Sequence, residues 1–171
     1  VLRLGIVNAV GSSIARLTDA GVYCHAGPER SVASTKAFIA QVTVLAEIAL
    51  HLSDGKSQLY KPVLNELLLI PDKIKQVLAS ADTIKAVAQK YSKHRDFLYM
   101  GRGYAYPCAL EGALKLKEIS YIQAEGYPTG ELKHGPIALI DDRFFEVVLL
   151  GEGWLFDKSI SGLSEINARG G

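Results

Sequence analysis

The sequence predicts an α/β fold built from parallel sheets flanked by helices. Three observations carry this expectation. Short apolar runs alternate with stretches whose apolar residues recur at three- and four-residue steps, and alternating strands and helices imply a parallel sheet. Several of the strand-like runs lead into glycine-containing turns, where such sheets carry their ligands. Between two such regions lies a stretch, roughly 57–91, with helical patterning and no strand candidate.

Leu2 to Val10 is apolar and β-branched and predicts a buried strand ending at Gly11. A short polar stretch follows to Asp19. Gly21 to His25 predicts a second strand, closed by Ala26-Gly27-Pro28-Glu29. Ala37, Phe38, Val42, Leu45, Ile48 and Leu52 then predict a helix, with Ser34 as N-cap and Asp54-Gly55 as its stop. In the region that follows, Pro71 is expected to open a new helix and Asp82 to cap another. The pattern then restarts. Phe97 to Met100 predicts a strand running into Gly101-Arg102-Gly103, and a helix covers about 105–120. Tyr121 to Ala124 predicts a strand, Gly130 to Leu139 a loop and short helix, Phe145 to Leu150 a strand, and Asp157 to Asn167 a last amphipathic helix. The expected organisation is two sheet-containing units, 1–56 and 93–171, joined by a helical connector at 57–92.

The 171 residues are 49% hydrophobic and 22% charged, enough to bury a core in one domain or two small ones. A net charge of +1 and the absence of a Lys/Arg run give no case for nucleic acid. No apolar run approaches the roughly 20 residues of a membrane span, and the first residues lack the pattern of a signal peptide. Two cysteines, Cys24 and Cys108, form neither a disulfide framework nor a metal spacing, and are expected as packed small hydrophobes in a reducing cytoplasm. No metal or cofactor is expected. The chain has no initiator Met and stops in mid-pattern at Ala168-Arg169-Gly170-Gly171, which reads as part of something longer.

Chemistry concentrates in two segments. On the helix at 105–120, Glu111, Lys115 and Glu118 are spaced i, i+4, i+7 and share one face. That spacing also serves an ordinary solvated Glu–Lys pair. Charges on a helix headed for burial are costly unless paired, and a carboxylate base beside an ammonium is a working acid–base unit. In Gly130-Glu131-Leu132-Lys133-His134-Gly135-Pro136, tight backbone surrounds an imidazole that can both give and take a proton near neutrality. Glu131 and Lys133 are placed to tune it. Val32-Ala33-Ser34-Thr35-Lys36 opens a helix with free amides and two hydroxyls, suited to capping or to holding an anion or polyol. His25, His51 and His94 have no companions at metal spacing.

Taken together, these segments resemble the isomerase half of the glutamine–fructose-6-phosphate aminotransferases, the glucosamine-6-phosphate synthase family. The residues that carry the resemblance are Gly11-Ser12-Ser13-Ile14-Ala15-Arg16 with Thr18-Asp19, His25 to Glu29, Val32 to Phe38 and Gly101-Arg102-Gly103-Tyr104. Ala109 to Ile122 is the longest run, and Ala124 to Tyr127 and Gly130 to Pro136 complete it. The resemblance implies two partial sugar isomerase (SIS) domains joined by a helical connector. It implies conversion of fructose 6-phosphate and glutamine-derived ammonia to glucosamine 6-phosphate, a glutaminase domain on the same parent protein, and a homodimer. By motif position Glu118 resembles the base that moves a proton between C1 and C2, Lys115 its cationic partner and Glu111 a supporting carboxylate. His134 resembles a ring-opening histidine that reaches a neighbouring subunit's site. Val32, Ala33 and Ser34 resemble sugar-contacting residues.

The sequence also departs from the family. Arg30-Ser31 precedes Val32 where an apolar residue and Gly are common, and Gln123 stands where a His is common. The phosphate loop of the first SIS domain, the family's Schiff-base lysine and the glutaminase cysteine are not in this chain. It is therefore expected to be inactive alone, with unpaired sheet edges. Two alternatives share the resemblance: another SIS-fold sugar-phosphate isomerase or deaminase, and a non-catalytic module that senses sugar phosphate.

Overall fold

In the computed structural model, residues 1–141 and 144–171 are described. They separate into two compact units, Val1–Ile84 and Lys85–Gly171.

The first unit opens with β1 (Leu4–Val7), a one-and-a-half-turn helix α1 (Ser13–Leu17) and β2 (Ala20–Tyr23), which pairs in parallel with β1 from Leu4↔Ala20 to Val7↔Tyr23. The stretch 12–19 is thus helical at its centre, because the Ser12 hydroxyl caps it by accepting from the Ala15 amide at 3.3 Å. Asp19 accepts from the Arg3 backbone amide and guanidinium, which fixes the turn back into β2 and holds its carboxyl below the usual range. All four residues of β2 are exposed, and its only pairing among the described residues is with β1.

The long helix α2 (Lys36–Ser53) follows. Its N-terminus corrects the expected cap. Ser34 lies one residue too early, and the Thr35 side chain makes no capping bond. The Glu29 carboxylate instead accepts from the Thr35 and Ala37 amides at 3.2 and 2.9 Å, so the orphan donors are met from six and eight residues upstream. Asp54 ends the helix in the left-handed conformation at φ 51°. Among the described residues α2 alone is long and apolar enough to cross a membrane, with Ala37 and Val44 buried within the unit.

Pro71 does not start a helix. It lies inside α3 (Tyr60–Ala79), which continues for two turns past it. The proline removes one ladder bond but an exposed, amphipathic 20-residue helix retains enough others to run on. Asp82 sits in the first turn of α4 (Ala81–Tyr91) and does not cap it.

The second unit holds a three-stranded parallel sheet in the order β4-β3-β5. Central β3 (Asp96–Gly101) pairs with β4 (Gln123–Pro128) on one side and β5 (Phe144–Leu149) on the other. Strand β4 starts two residues later than expected and runs on through Gly126. The pleat sends alternate residues to opposite faces. Phe97 and Tyr99 pack with Ala113 and Leu116 of α5 (Ala105–Ser120), together with Phe145 and Val147. Leu98 and Met100 pack on the other face with Leu132, Ile140 and Ile166, the last from α6 (Phe156–Asn167). Between β4 and β5 the chain forms two 3₁₀ segments, Thr129–His134 and Pro136–Leu139. Consecutive helices on opposite faces make β3 the point where the crossover direction switches, the place where parallel sheets open a crevice.

Candidate active site

The site is built on α5. The turn after β3 delivers the chain to Ala105, and α5 then lies across β3 and β4 with Ala109 and Ala113 buried beneath it. Small residues on this face let the helix backbone approach the sheet closely. Gly126 of β4 lies directly under Leu110, where an added Cβ would stand 2.9 Å from the Leu110 Cα. The close seat fixes the height of the next residue, Glu111, above the sheet.

On the far side of α5 the ammonium of Lys115 is held between two carboxylates. Its Nζ lies 3.2 Å from Glu111 Oε1 and 2.9 Å from Glu118 Oε2. The three side chains are 21%, 24% and 31% exposed for Lys115, Glu111 and Glu118, against more than half exposed in the pairs of α3. The bond to Glu118, opposed by partial desolvation and reinforced by Glu111, raises the Lys115 pKa. Lys115 therefore remains an ammonium and is not a nucleophile. It orients both carboxylates, while their remaining lone pairs stay available. The cluster thus sets one ammonium between two acidic side chains, a composition in which a carboxyl group and a cation are held together for acid–base work.

The structure brings Glu111, Lys115 and Glu118 together and leaves His134 apart from them. His134 ends the 3₁₀ segment whose Leu132 packs on the Leu98–Met100 face of the sheet, opposite α5. Its side chain is exposed. Lys133 does not turn toward His134 as its tuning partner: it pairs with Glu165 of α6 at 2.9 Å. Val32, Ala33 and Ser34 lie in the first unit. Val32 is exposed, Ala33 is fully buried and Ser34 is half-buried, and the Ser31 hydroxyl accepts from the Ala33 amide at 3.3 Å. Cys24 is half-buried, and Cys108 is exposed, contrary to its expected packing: it falls on the outward side of α5. No group of His, Cys, Asp and Glu able to hold a metal occurs among the described residues.

Two features went unrecognised in the sequence. Glu29 shapes the start of α2 and with it the Val32–Ser34 loop. Its bond from the Ala37 amide holds its carboxyl below the usual range. The only sequence signal is a carboxylate between Pro28 and the helix, which spacing rules for adjacent caps do not capture. The other is Thr129, at the end of β4, whose buried hydroxyl has no protein partner; the buried Nε of Arg102, in the Gly101-Arg102-Gly103 turn that the sequence does mark, has none either.

Residues 90–167 match the SIS domain family. Over 171 residues the chain is 52% identical to the glutamine–fructose-6-phosphate aminotransferase (isomerizing) of Bacteroides thetaiotaomicron, an alignment covering 98% of this chain and 28% of that protein. The corresponding enzyme of Chlorobaculum tepidum is 51% identical over the same shares. Among solved structures, the C-terminal domain of glucosamine-fructose-6-phosphate aminotransferase from Francisella tularensis superposes with a TM-score of 0.93 at 41% identity, over 98% of this chain and 49% of that one. The chain spans little more than a quarter of the length of the curated relatives it matches.

Proposed function

We propose a function from the premise that this chain belongs to the SIS family, on the branch of the glutamine–fructose-6-phosphate aminotransferases: it supplies the acid–base half of a sugar-phosphate amination site. The observation that supports the reading best is the half-buried Glu111–Lys115–Glu118 group. In the proposed reaction, ammonia released from glutamine by a glutaminase domain of the parent protein condenses at C2 of open-chain fructose 6-phosphate, with loss of water. Glu118 then takes a proton from C1 and returns it to C2, which gives glucosamine 6-phosphate. Lys115 holds Glu118 in place and Glu111 balances Lys115. Val32 and Ser34 contact the sugar, while Ala33, fully buried, anchors the loop between them instead of touching it. His134 opens the ring, acting in the site of the neighbouring copy of a cytoplasmic homodimer. Its placement on the sheet face opposite α5 supports a role outside its own subunit's cluster.

A ketose–aldose isomerase without amination would use the same carboxylate. The similarity to aminotransferases across 98% of the chain favours amination. The test is Glu118→Gln in the intact protein. Gln keeps the shape and a hydrogen-bond acceptor for Lys115 but cannot accept the C1 proton. Fructose 6-phosphate should still bind, while turnover falls by about 10²-fold or more, the usual worth of a general base. Turnover within a factor of two of the parent would remove Glu118 from the mechanism.

A further inference from the structure

We propose that the cleft between the 3₁₀ segment Thr129–His134 and α6 binds a phosphate group, free or at the end of a small phosphorylated metabolite. The cleft, of about 230 Å³, lies where β3 and β4 end. It is lined by Arg102, Thr129, Lys133, Lys158, Ser161 and Glu165. Three cations face one carboxylate, and that carboxylate is already paired with Lys133 at 2.9 Å. The excess charge therefore rests with Arg102 and Lys158. The α6 contributors fall at i, i+3 and i+7, one face of the helix turned to the cleft.

Unmet hydrogen bonding points to a ligand. Thr129 is 3% exposed, yet its hydroxyl has no partner, and neither does the buried Arg102 Nε. A buried donor left unpaired costs more than a made bond gains, so native proteins rarely keep two on residues lining one cleft without an occupant or a function. Gly162 is also informative. Any side chain there would strike the Thr129 methyl, so the glycine lets α6 approach the hydroxyl-bearing strand end. The volume is below that of drug-sized pockets. It suits a compact oxyanion, whose several acceptor oxygens can meet a guanidinium, a hydroxyl and an ammonium at once. This cleft is on the opposite sheet face from the Glu111–Lys115–Glu118 group and is distinct from the site proposed above.

The experiment is calorimetric titration of the intact protein with inorganic phosphate and, separately, with glycerol 3-phosphate; the tighter of the two identifies the source of the phosphate. The variants are Thr129→Val and Lys158→Gln. Thr129→Val keeps the shape and deletes only the unpartnered hydroxyl. Without ligand its thermal midpoint should equal or exceed that of the parent, while phosphate affinity falls by about fivefold, the worth of one hydrogen bond. Lys158→Gln should weaken binding by a similar factor and flatten its salt dependence. The KM for fructose 6-phosphate should stay unchanged in both, and Glu118→Gln should leave the phosphate titration intact. Phosphate affinity unchanged in both variants, or a KM that moves in step with it, would overturn the proposal.

Discussion

Gly126→Ala tests whether the close seat of α5 on β4 sets the reactive geometry. A Cβ at this position would meet the Leu110 Cδ2 at 2.7 Å and the Leu110 Cα at 2.9 Å. The methyl can rotate away, but the Cα belongs to the helix backbone and cannot. Restoring ordinary contact at 3.4 Å requires the helix to lift by about half an ångström at Leu110. Inserting a methyl into a packed seam costs about 1–3 kcal/mol. The half-ångström lift is about the whole tolerance of a working site. Since a displacement of 1 Å costs about 10²-fold in rate, half of that should cost about tenfold. Glu111 follows Leu110 directly, and Lys115 and Glu118 ride on the same helix, so the whole group moves. Two measurements are needed: the urea midpoint followed by far-UV circular dichroism, and kcat in the intact protein. The variant should unfold at lower urea, with faster amide exchange across Ala105–Ser120, and its kcat should fall although no reacting group has changed. An unaltered midpoint together with unaltered kcat would refute the reasoning, because α5 would then have slack where the structure shows none.

Two further predictions concern pH. Burial, reinforced by Asp141 and opposed by a backbone hydrogen bond and by His94, raises the Glu146 carboxyl above its ordinary value of 4.5. The folded state then holds the proton more tightly than the unfolded one, so stability declines as pH rises from 4.5 through the raised value. Glu146→Gln should abolish that decline and leave the protein more stable at neutral pH; a parallel pH profile in parent and variant would contradict this. Glu29 has the opposite sign. Bonds from Ala37 and Thr35 depress its pKa, so its contribution is present above the ordinary carboxylate range and is lost as pH falls through the depressed value. Amide exchange at Ala37 should accelerate in that acid window in the parent and at all pH values in Glu29→Ala, which removes the accepting oxygen, whereas equal protection in both would show that the cap lies elsewhere.

The local pattern made much of this legible. The 3.6-residue periodicity from Ala105 to Ser120 coincides with α5, and the apolar run at Phe97–Met100 with the core of β3. The clustering of Glu111, Lys115 and Glu118 follows from helical spacing alone. What was not legible depends on contacts distant in sequence. Glu29 caps a helix several residues away, and Gly126 extends β4 because a helix backbone rests on it, although glycine itself disfavours strand. Pro71 reads as a boundary, but the exposed face of α3 tolerates the missing bond. The pairing of Lys133 with Glu165 instead of His134 joins elements separated by β5. The same holds for the cleft around Arg102 and Thr129, which comes from three separate segments.

In the proposed function Glu118 and His134 serve the same reaction from different copies of the chain; within one copy they lie on opposite faces of the sheet. Mixing subunits tests it directly. Glu118→Gln and His134→Ala are each made in the intact protein, and each alone should be nearly inactive. After dissociation and reassociation of a one-to-one mixture, mixed dimers carry one site with both residues native. Activity should return to about a quarter of the parent value, as expected for random pairing in a two-fold dimer. A mixture as inactive as its components would contradict the account and place both residues in the site of a single subunit.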